Sequence, residues 1–430
     1  MQGKDLMADR SFNKKAVIIG LDGIPYSLLE SYMAQGIMPR LQEMAASGQL
    51  LPMCSTLPEV SSVAWSSFMT GKNPADHGIF GFMELDRTTY EYCFPNFGSL
   101  KAPTFWEELG LPTVALNIPQ TYPARPMNGV LVSGFVALDL EKAVYPRRIF
   151  EYLKGANYRL DVRSQLAVND PEAFFQDLFE VFEKRIAAMK YLYDHEPWQM
   201  FIGVITETDR LHHFFYDSAA GGPYYDIFMD FYGRLDAFLG EMFERAQRDQ
   251  ALFLTCSDHG FAPIKTEVYV NRLLQDQGLL KITGNDGFKG ITADSQVFCL
   301  DPARVYVHLK GKYARGRVDG SEYETLRTEI KTLFDNLTFE GMKVVRQVYF
   351  KEEIFAGNNL DDAPDLYILA EPGFDLKATL NKDSVFGRSH FQGAHTYTDA
   401  HLFISEKEMV RSATDLSIEA VPKLIKSYLS

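Results

Sequence analysis

The chain reads as an α/β protein built on a mostly parallel sheet flanked by helices. Three observations predict this. Short apolar runs of strand character recur along the chain, and helical spacing fills several of the intervals between them. Acidic and histidine residues stand just beyond the ends of those runs, where an open α/β sheet gathers its site. With 430 residues, 46% hydrophobic and 13% aromatic, there is ample material for a large interior, as one domain with insertions or as two domains.

The first run, AVIIGL (16–21), is β-like and ends on Asp22 and Gly23, which turn the chain. PYSLLESYMAQGIMPRLQEMAASG follows with helical spacing, and Pro25 near its first turn supports the start. After LLPMCSTLP the pattern predicts a helix from Ser61 to Met69, closed by Thr70 and Gly71. Further β-like runs are PTVALN (112–117), GVLVSGF (129–135), QMFIGVI, LFLTC, RVYVHL, DLYILA and HLFIS. Phe, Leu and Met recur every three or four residues over 171–194 and 223–249, which predicts two long amphipathic helices. From 263 to 390 the alternation is less regular, and Gly- and Asp-rich pieces such as TGNDGFKG and AGNNLDDAPD interrupt it. The predicted organisation is a core over 12–262 and 391–430, with 263–390 a partial insertion forming a cap or lid.

Bulk properties exclude some partners. A formal net charge of −14 argues against a protein that wraps a nucleic-acid polymer, which needs a positive surface. Cys54, Cys93, Cys256 and Cys299 are scattered without C-x-x-C spacing, so neither a zinc knuckle nor a dense disulfide framework is indicated. The stretch MQGKDLMADRSFNKK is polar, and no later segment reaches the roughly 18 uninterrupted apolar residues of a membrane span. The expectation is a soluble, cytoplasmic protein without a membrane partner, its oligomeric state left open.

Six side chains able to hold a metal lie in four separated places. Asp22 follows AVIIGL, Asp209 and His213 follow MFIGVI, and Asp258 and His259 follow ALFLTC; His395 is the exception, in the loop segment QGAHTY. Three Asp and three His suit two divalent ions, each with an open position for water or substrate. Asp209 and His213 stand four apart, so a helical turn aims both the same way, while the adjoining His212 points elsewhere. Singly, each reads equally well as a turn or loop residue bonded to local backbone; their common placement is what carries the metal reading. Ser61 and Ser62, at the predicted start of a helix, are candidate nucleophiles, because free N–H groups and the helix dipole favour both an alkoxide and an incoming phosphate. A plain helix N-cap explains the pair as well.

The pattern resembles the alkaline phosphatase superfamily, and within it the type I phosphodiesterase and nucleotide pyrophosphatase group. Its most specific element, T-G-x-x-P-x-x-H-G, is present as TGKNPADHG, with the nucleophile nine residues before its Thr, at Ser61. The resemblance implies an alkaline phosphatase-like core in which Asp209, His213 and His395 hold one ion and Asp22, Asp258 and His259 hold the other, with Ser61 as its further ligand. It implies a phosphoric ester hydrolase, phosphodiesterase- or nucleotide pyrophosphatase-like, that acts on a small phosphorylated substrate through a phosphoserine. The equal share of imidazole and carboxylate makes Zn²⁺ the first choice of metal and Mn²⁺ the second.

Relatives in that group carry Thr at the nucleophile and an Asn four residues beyond H-G for the non-bridging oxygen, where this chain has Ser61 and Phe82. Asn117, Lys72, Arg388 and His390 are the candidates for that contact. Sulfatases of the superfamily have Cys, Pro and Arg where Ser61, Val63 and Trp65 stand, so a sulfatase is not expected. The alternatives carried forward are a phosphomutase of the cofactor-independent phosphoglycerate mutase type and a non-catalytic metal- and phosphate-binding protein.

Overall fold

The computed structural model describes residues 14–410 and 416–430; the polar N-terminal stretch and the start of the predicted core at residue 12 lie outside the described residues. An eight-stranded sheet runs, from edge to edge, Gln49–Met53, Ala400–Ile404, Leu252–Cys256, Ala16–Leu21, Met200–Ile205, Thr113–Ile118, Gly129–Ser133 and Val144–Tyr145. The five strands from Leu252–Cys256 to Gly129–Ser133 are parallel, and antiparallel strands finish both edges.

The central runs are uniformly apolar because both faces of the sheet are covered. In Ala16–Leu21 every residue is buried; Val17, Ile19 and Leu21 enter one core and Ala16 and Ile18 the other. Helices Pro171–His195 and Tyr225–Arg248 cover the first face through residues such as Phe174, Phe182, Phe231 and Leu235. Helices Ser61–Thr70 and Val421–Leu429 cover the second through Trp65, Phe68 and Ile425. At roughly 1.5–3 kcal/mol for each large side chain fully buried, these two cores dominate the favourable side of folding.

The region after Asp22, read as one helical stretch, is two helices, Tyr26–Ala34 and Pro39–Ser47. Gly36 takes a left-handed φ of 73°, and Pro39, lacking an N–H to donate backwards, starts the second helix at its first position. His395, read as a loop residue, lies on a short strand, Gly393–Thr396, paired antiparallel with Gly260–Pro263 so that His395 stands opposite Phe261. The partner strand is some 130 residues away, so local pattern carries no trace of it.

Between these paired strands the chain builds a second body with its own core. Val297–Leu300, Arg304–Val307, Leu366–Ala370 and Val345–Phe350 form an antiparallel sheet covered by helix Tyr323–Asp335. That helix escaped the pattern reading although Leu326, Ile330 and Phe334 recur every four residues on its buried face. Thr266–Tyr269 joins Phe374–Lys377 and Phe386–Gly387 in a smaller sheet. Leu85 and Tyr90, from the hairpin Glu84–Leu85 and Tyr92–Cys93, also enter this core. The buried Arg304 clasps the hairpin through Glu84 at 2.6 Å and the Met83 carbonyl at 2.6 Å. Among the described residues, no helix is long and apolar enough to cross a membrane.

Candidate active site

Three neighbouring parallel strands deliver the acidic residues to one place. Asp22 leaves the carboxyl end of Ala16–Leu21, its N–H still bonded to the Ile205 carbonyl at 3.0 Å. Asp258 and His259 leave Leu252–Cys256, and Asp209 and His213 lie on helix Glu207–Phe215, which follows Met200–Ile205. The strands themselves are almost wholly apolar, so these charged groups gather where the strands end.

One trio is closely gathered. His395 Nε2 lies 3.0 Å from His213 Nε2 and 3.2 Å from Asp209 Oδ1, and His213 Nε2 lies 3.3 Å from that same oxygen. A tetrahedral ion with bonds of about 2.0–2.1 Å sets its ligands about 3.3 Å apart, so these separations fit a shared ion. The second trio centres on His259 Nε2, which lies 3.3 Å from Asp258 Oδ2 and 3.6 Å from Asp22 Oδ1. The His259 ring stacks on that of His395 with centroids 3.5 Å apart, so the trios share an edge.

A backbone carbonyl orients each of these imidazoles from behind. His213 Nδ1 faces the Gly393 carbonyl at 3.1 Å, His395 Nδ1 the Glu59 carbonyl at 3.0 Å and His259 Nδ1 the Gly260 carbonyl at 3.1 Å. A carbonyl only accepts, so each Nδ1 donates to it, and Nε2 of each ring is left facing the carboxylates and the neighbouring imidazole of the cluster. The other buried histidines are satisfied at both nitrogens: His77, His212, His308 and His401 each bond two partners. His212, paired with the Gly23 carbonyl and the Tyr232 hydroxyl, does point elsewhere. Burial, then the adjacent His395, holds the His259 imidazole well below its usual range and keeps it neutral. Burial pushes the Asp258 carboxyl up to about 7, and burial together with Asp258 and Asp209 pushes Asp22 well above its ordinary value. Asp258 Oδ2 is buried without a hydrogen-bond partner. Such a set of donors fits divalent cations.

Each carboxylate has one oxygen tied down and the other aimed into the cluster. Gly23 N–H donates to Asp258 Oδ1 at 3.0 Å, and Trp65 Nε1–H donates to Asp22 Oδ2 at 3.2 Å. Gly23 has φ of 67°, and a Cβ there would stand 2.5 Å from the Phe261 ring. Trp65 needs Gly20 in the same way, since a Cβ at Gly20 would lie 2.4 Å from Trp65 Cη2 in a fully buried setting. Gly20→Ala is therefore expected to destabilise the fold by about 1–3 kcal/mol and to displace Asp22, measured by denaturant unfolding alongside metal content.

Ser61 is the first residue of helix Ser61–Thr70, which has no side-chain cap although its N-terminus is buried. Its Oγ stands 3.2 Å from His259 Nε2 and 3.4 Å from Asp22 Oδ1. Ser62 lies behind it, with its hydroxyl fully buried. TGKNPADHG does not itself enter the site. Gly71 ends the helix with φ of 63°, Asn73 caps the next short helix, and His77 Nε2 bonds Ser67 Oγ at 2.9 Å from behind. The motif thus anchors the platform that carries Ser61.

A cleft of about 500 Å³ opens beside the trios, between Glu59, Val60, His213 and His395 on one side and Tyr269 and Tyr367 of the second body on the other. Phe82 lines it, edge-on to Phe135 at 5.2 Å. The structure brings none of the four proposed substrate contacts there. Lys72 is exposed beyond the far end of the Ser61 helix, whose ten residues span about 15 Å. Arg388 and His390 are exposed, while Ser389 and Phe391 turn into the cleft. Asn117 is buried at the end of its strand, its amide given to the Val204 carbonyl at 2.8 Å and Thr206 Oγ1 at 3.1 Å. Trp65, Gly23 and Arg210 are the supporting residues that sequence reasoning missed; Arg210 had a signal, in its place beside Asp209.

A family model described as type I phosphodiesterase / nucleotide pyrophosphatase matches residues 16–398. None of the curated proteins matches the chain significantly. Among solved structures, the chain is similar to phosphonoacetate hydrolase from Sinorhizobium meliloti 1021 in complex with phosphonoformate, at 18% identity and a TM-score of 0.66, covering 97% of this chain and 96% of that one. It is also similar to an inactive murine ectonucleotide pyrophosphatase / phosphodiesterase 5 in complex with AMP, at 12% identity and a TM-score of 0.57, covering 97% and 95%. The human form of the latter protein aligns at 13% identity with a TM-score of 0.57, covering 97% and 95%. At these identities the structural likeness speaks for the fold.

Proposed function

From the chain's membership of the type I phosphodiesterase / nucleotide pyrophosphatase family, within the alkaline phosphatase superfamily, we propose a phosphoric ester hydrolase that works through a phosphoserine on Ser61, on diesters in preference to monoesters. The observation that carries this reading is the placement of Ser61 Oγ, 3.2 Å from His259 Nε2 at an uncapped helix N-terminus beside two nitrogen and oxygen trios. Asp209, His213 and His395 would hold one divalent ion, and Asp22, Asp258 and His259 with Ser61 the other. Zinc, with manganese second, would supply Lewis acidity toward the phosphoryl oxygens and lower the pKa of the serine hydroxyl.

The chain's own groups do the rest. Ser61 Oγ attacks phosphorus, an O–P bond forms to serine, and the ester O–P bond on the opposite side breaks, the serine proton passing through solvent to the departing oxygen so that the first alcohol is released. Water then cleaves the serine O–P bond and frees the phosphate monoester that keeps the second alcohol. The N–H groups at the start of the Ser61 helix take the charge on a non-bridging oxygen, the role for which Phe82 has no donor. The 263–390 segment, as a cap, roofs the cleft and meets the leaving group. Metal-loaded protein is expected to release nitrophenol from bis(p-nitrophenyl) phosphate faster than from p-nitrophenyl phosphate. Absence of turnover on every aryl phosphate ester would overturn the hydrolase reading, and an isomerised product without phosphate release would replace it with a mutase.

A further inference from the structure

Arg210 follows Asp209 directly, and its guanidinium joins two carboxylates. Nη1 donates to Asp209 Oδ2 at 2.7 Å; Nη2 and Nε donate to Asp161 Oδ2 at 2.8 Å and Oδ1 at 3.3 Å. The group lies over the Phe135 ring with its carbon 4.3 Å from the centroid, and Phe135 in turn meets Phe82 of the cleft. Asp161 is held firmly in place. Arg159 and Arg163, on either side of it, both grip the buried Asp177 of helix Pro171–His195, the latter also through its backbone N–H at 2.8 Å. A helix that takes no part in the site thereby determines where Arg210 lies.

We propose that Arg210 is a positioning residue for the trio of Asp209, His213 and His395: by taking Oδ2 it leaves Oδ1 as the single Asp209 oxygen offered to an ion. The inference rests on the metal reading given above. The contrast within the trio supports it, because Oδ1 is the oxygen that stands 3.2 Å from His395 Nε2 and 3.3 Å from His213 Nε2, while Oδ2 belongs to the arginine. With the second oxygen engaged, the carboxylate would reach an ion through one atom. Lysine cannot replace this arrangement. Its ammonium is a point donor that cannot bridge two carboxylates in a plane while lying flat on a ring. Removing a positive charge beside the trio would by itself strengthen cation binding, so orientation and simple electrostatics predict opposite results for a neutral replacement.

The test is titration of chelator-stripped protein with Co²⁺, followed by its visible absorption, for wild type, Arg210→Lys, Arg210→Met and Asp161→Asn. Wild type is expected to bind two equivalents. In Arg210→Lys and Arg210→Met one step weakens by about 10–100-fold and the other stays in place, the usual consequence of losing a partner that orients a ligand. Asp161→Asn, which keeps the arginine and loosens its anchor, is expected to shift the same step less, and it serves should the Arg210 variants fail to fold. Unchanged titrations in all variants, equal weakening of both steps, or tighter binding in Arg210→Met would each overturn the proposal. Failure of wild type to bind two ions would remove the metal reading and this inference together. Two bound ions without turnover on any ester would count against the hydrolase reading alone.

Discussion

Ser61→Ala is expected to lower kcat on an aryl phosphate diester by at least about 10³-fold, the scale on which loss of a nucleophile acts, while leaving the fold and most of the metal content in place. The helix around it is secured by contacts that do not involve its hydroxyl, including Trp65 and Phe68 in the core and the His77 to Ser67 bond. The lost hydroxyl is the one atom of the helix that reaches both His259 and Asp22. Ser61→Thr keeps an oxygen there and is expected to retain far more activity than the alanine variant. Acid quench of wild type during turnover should trap a phosphoryl group on the peptide carrying Ser61, and the alanine variant should trap none. Full activity in Ser61→Ala, or a phosphoryl group on another residue, would refute the assignment.

The second large effect is the dependence of stability on divalent ions and pH. Stripped of ions, the folded chain holds Asp258 near 7 through burial, so below that pH the carboxyl is protonated and an entering ion must expel the proton. Apparent affinity therefore falls by up to about tenfold for each pH unit below about 7 for each proton displaced. His259 is held low by burial and then by His395; being already neutral, it releases no proton on binding. The sign for the stripped protein is the reverse. The folded value of Asp258 lies above its ordinary 3.8, so its contribution is fully present below that value and is lost as pH rises through about 7. Loaded and stripped protein should therefore differ in Tm most at about pH 8 and least at about pH 5.5. At a thousandfold excess over Kd, one ion contributes about 4 kcal/mol. A Tm gap that does not change across this range, or no gap at all, would contradict the site.

The recurrent apolar runs were legible because a strand in a parallel sheet is buried on both faces, and the residue that ends it is free to be acidic. The places of Asp22 and Asp258 at strand ends follow from that rule, and the four-residue step from Asp209 to His213 follows once a helix is assumed. Lys72 stands away from the cleft for an equally physical reason. Its closeness to Ser61 along the chain is undone by a helix of ten residues that carries it to the other end of the platform. The hairpin that enters the second core depends on Arg304, more than 200 residues further along, and no local signal announces such a contact.

Taken alone, the sequence determined the fold class and the strand ends that carry the acidic residues, while the family resemblance carried by TGKNPADHG singles out Ser61 over Ser62. The first two follow from short-range properties: periodicity and the need to bury apolar side chains. Tertiary structure alone decided which oxygen of each carboxylate faces the cluster, that His395 arrives on a strand opposite Phe261, and that Phe82 with the second body shapes the cleft. Those outcomes depend on directions of hydrogen bonds and on pairings between distant segments. The free energy that selects them comes from packing the whole chain at once.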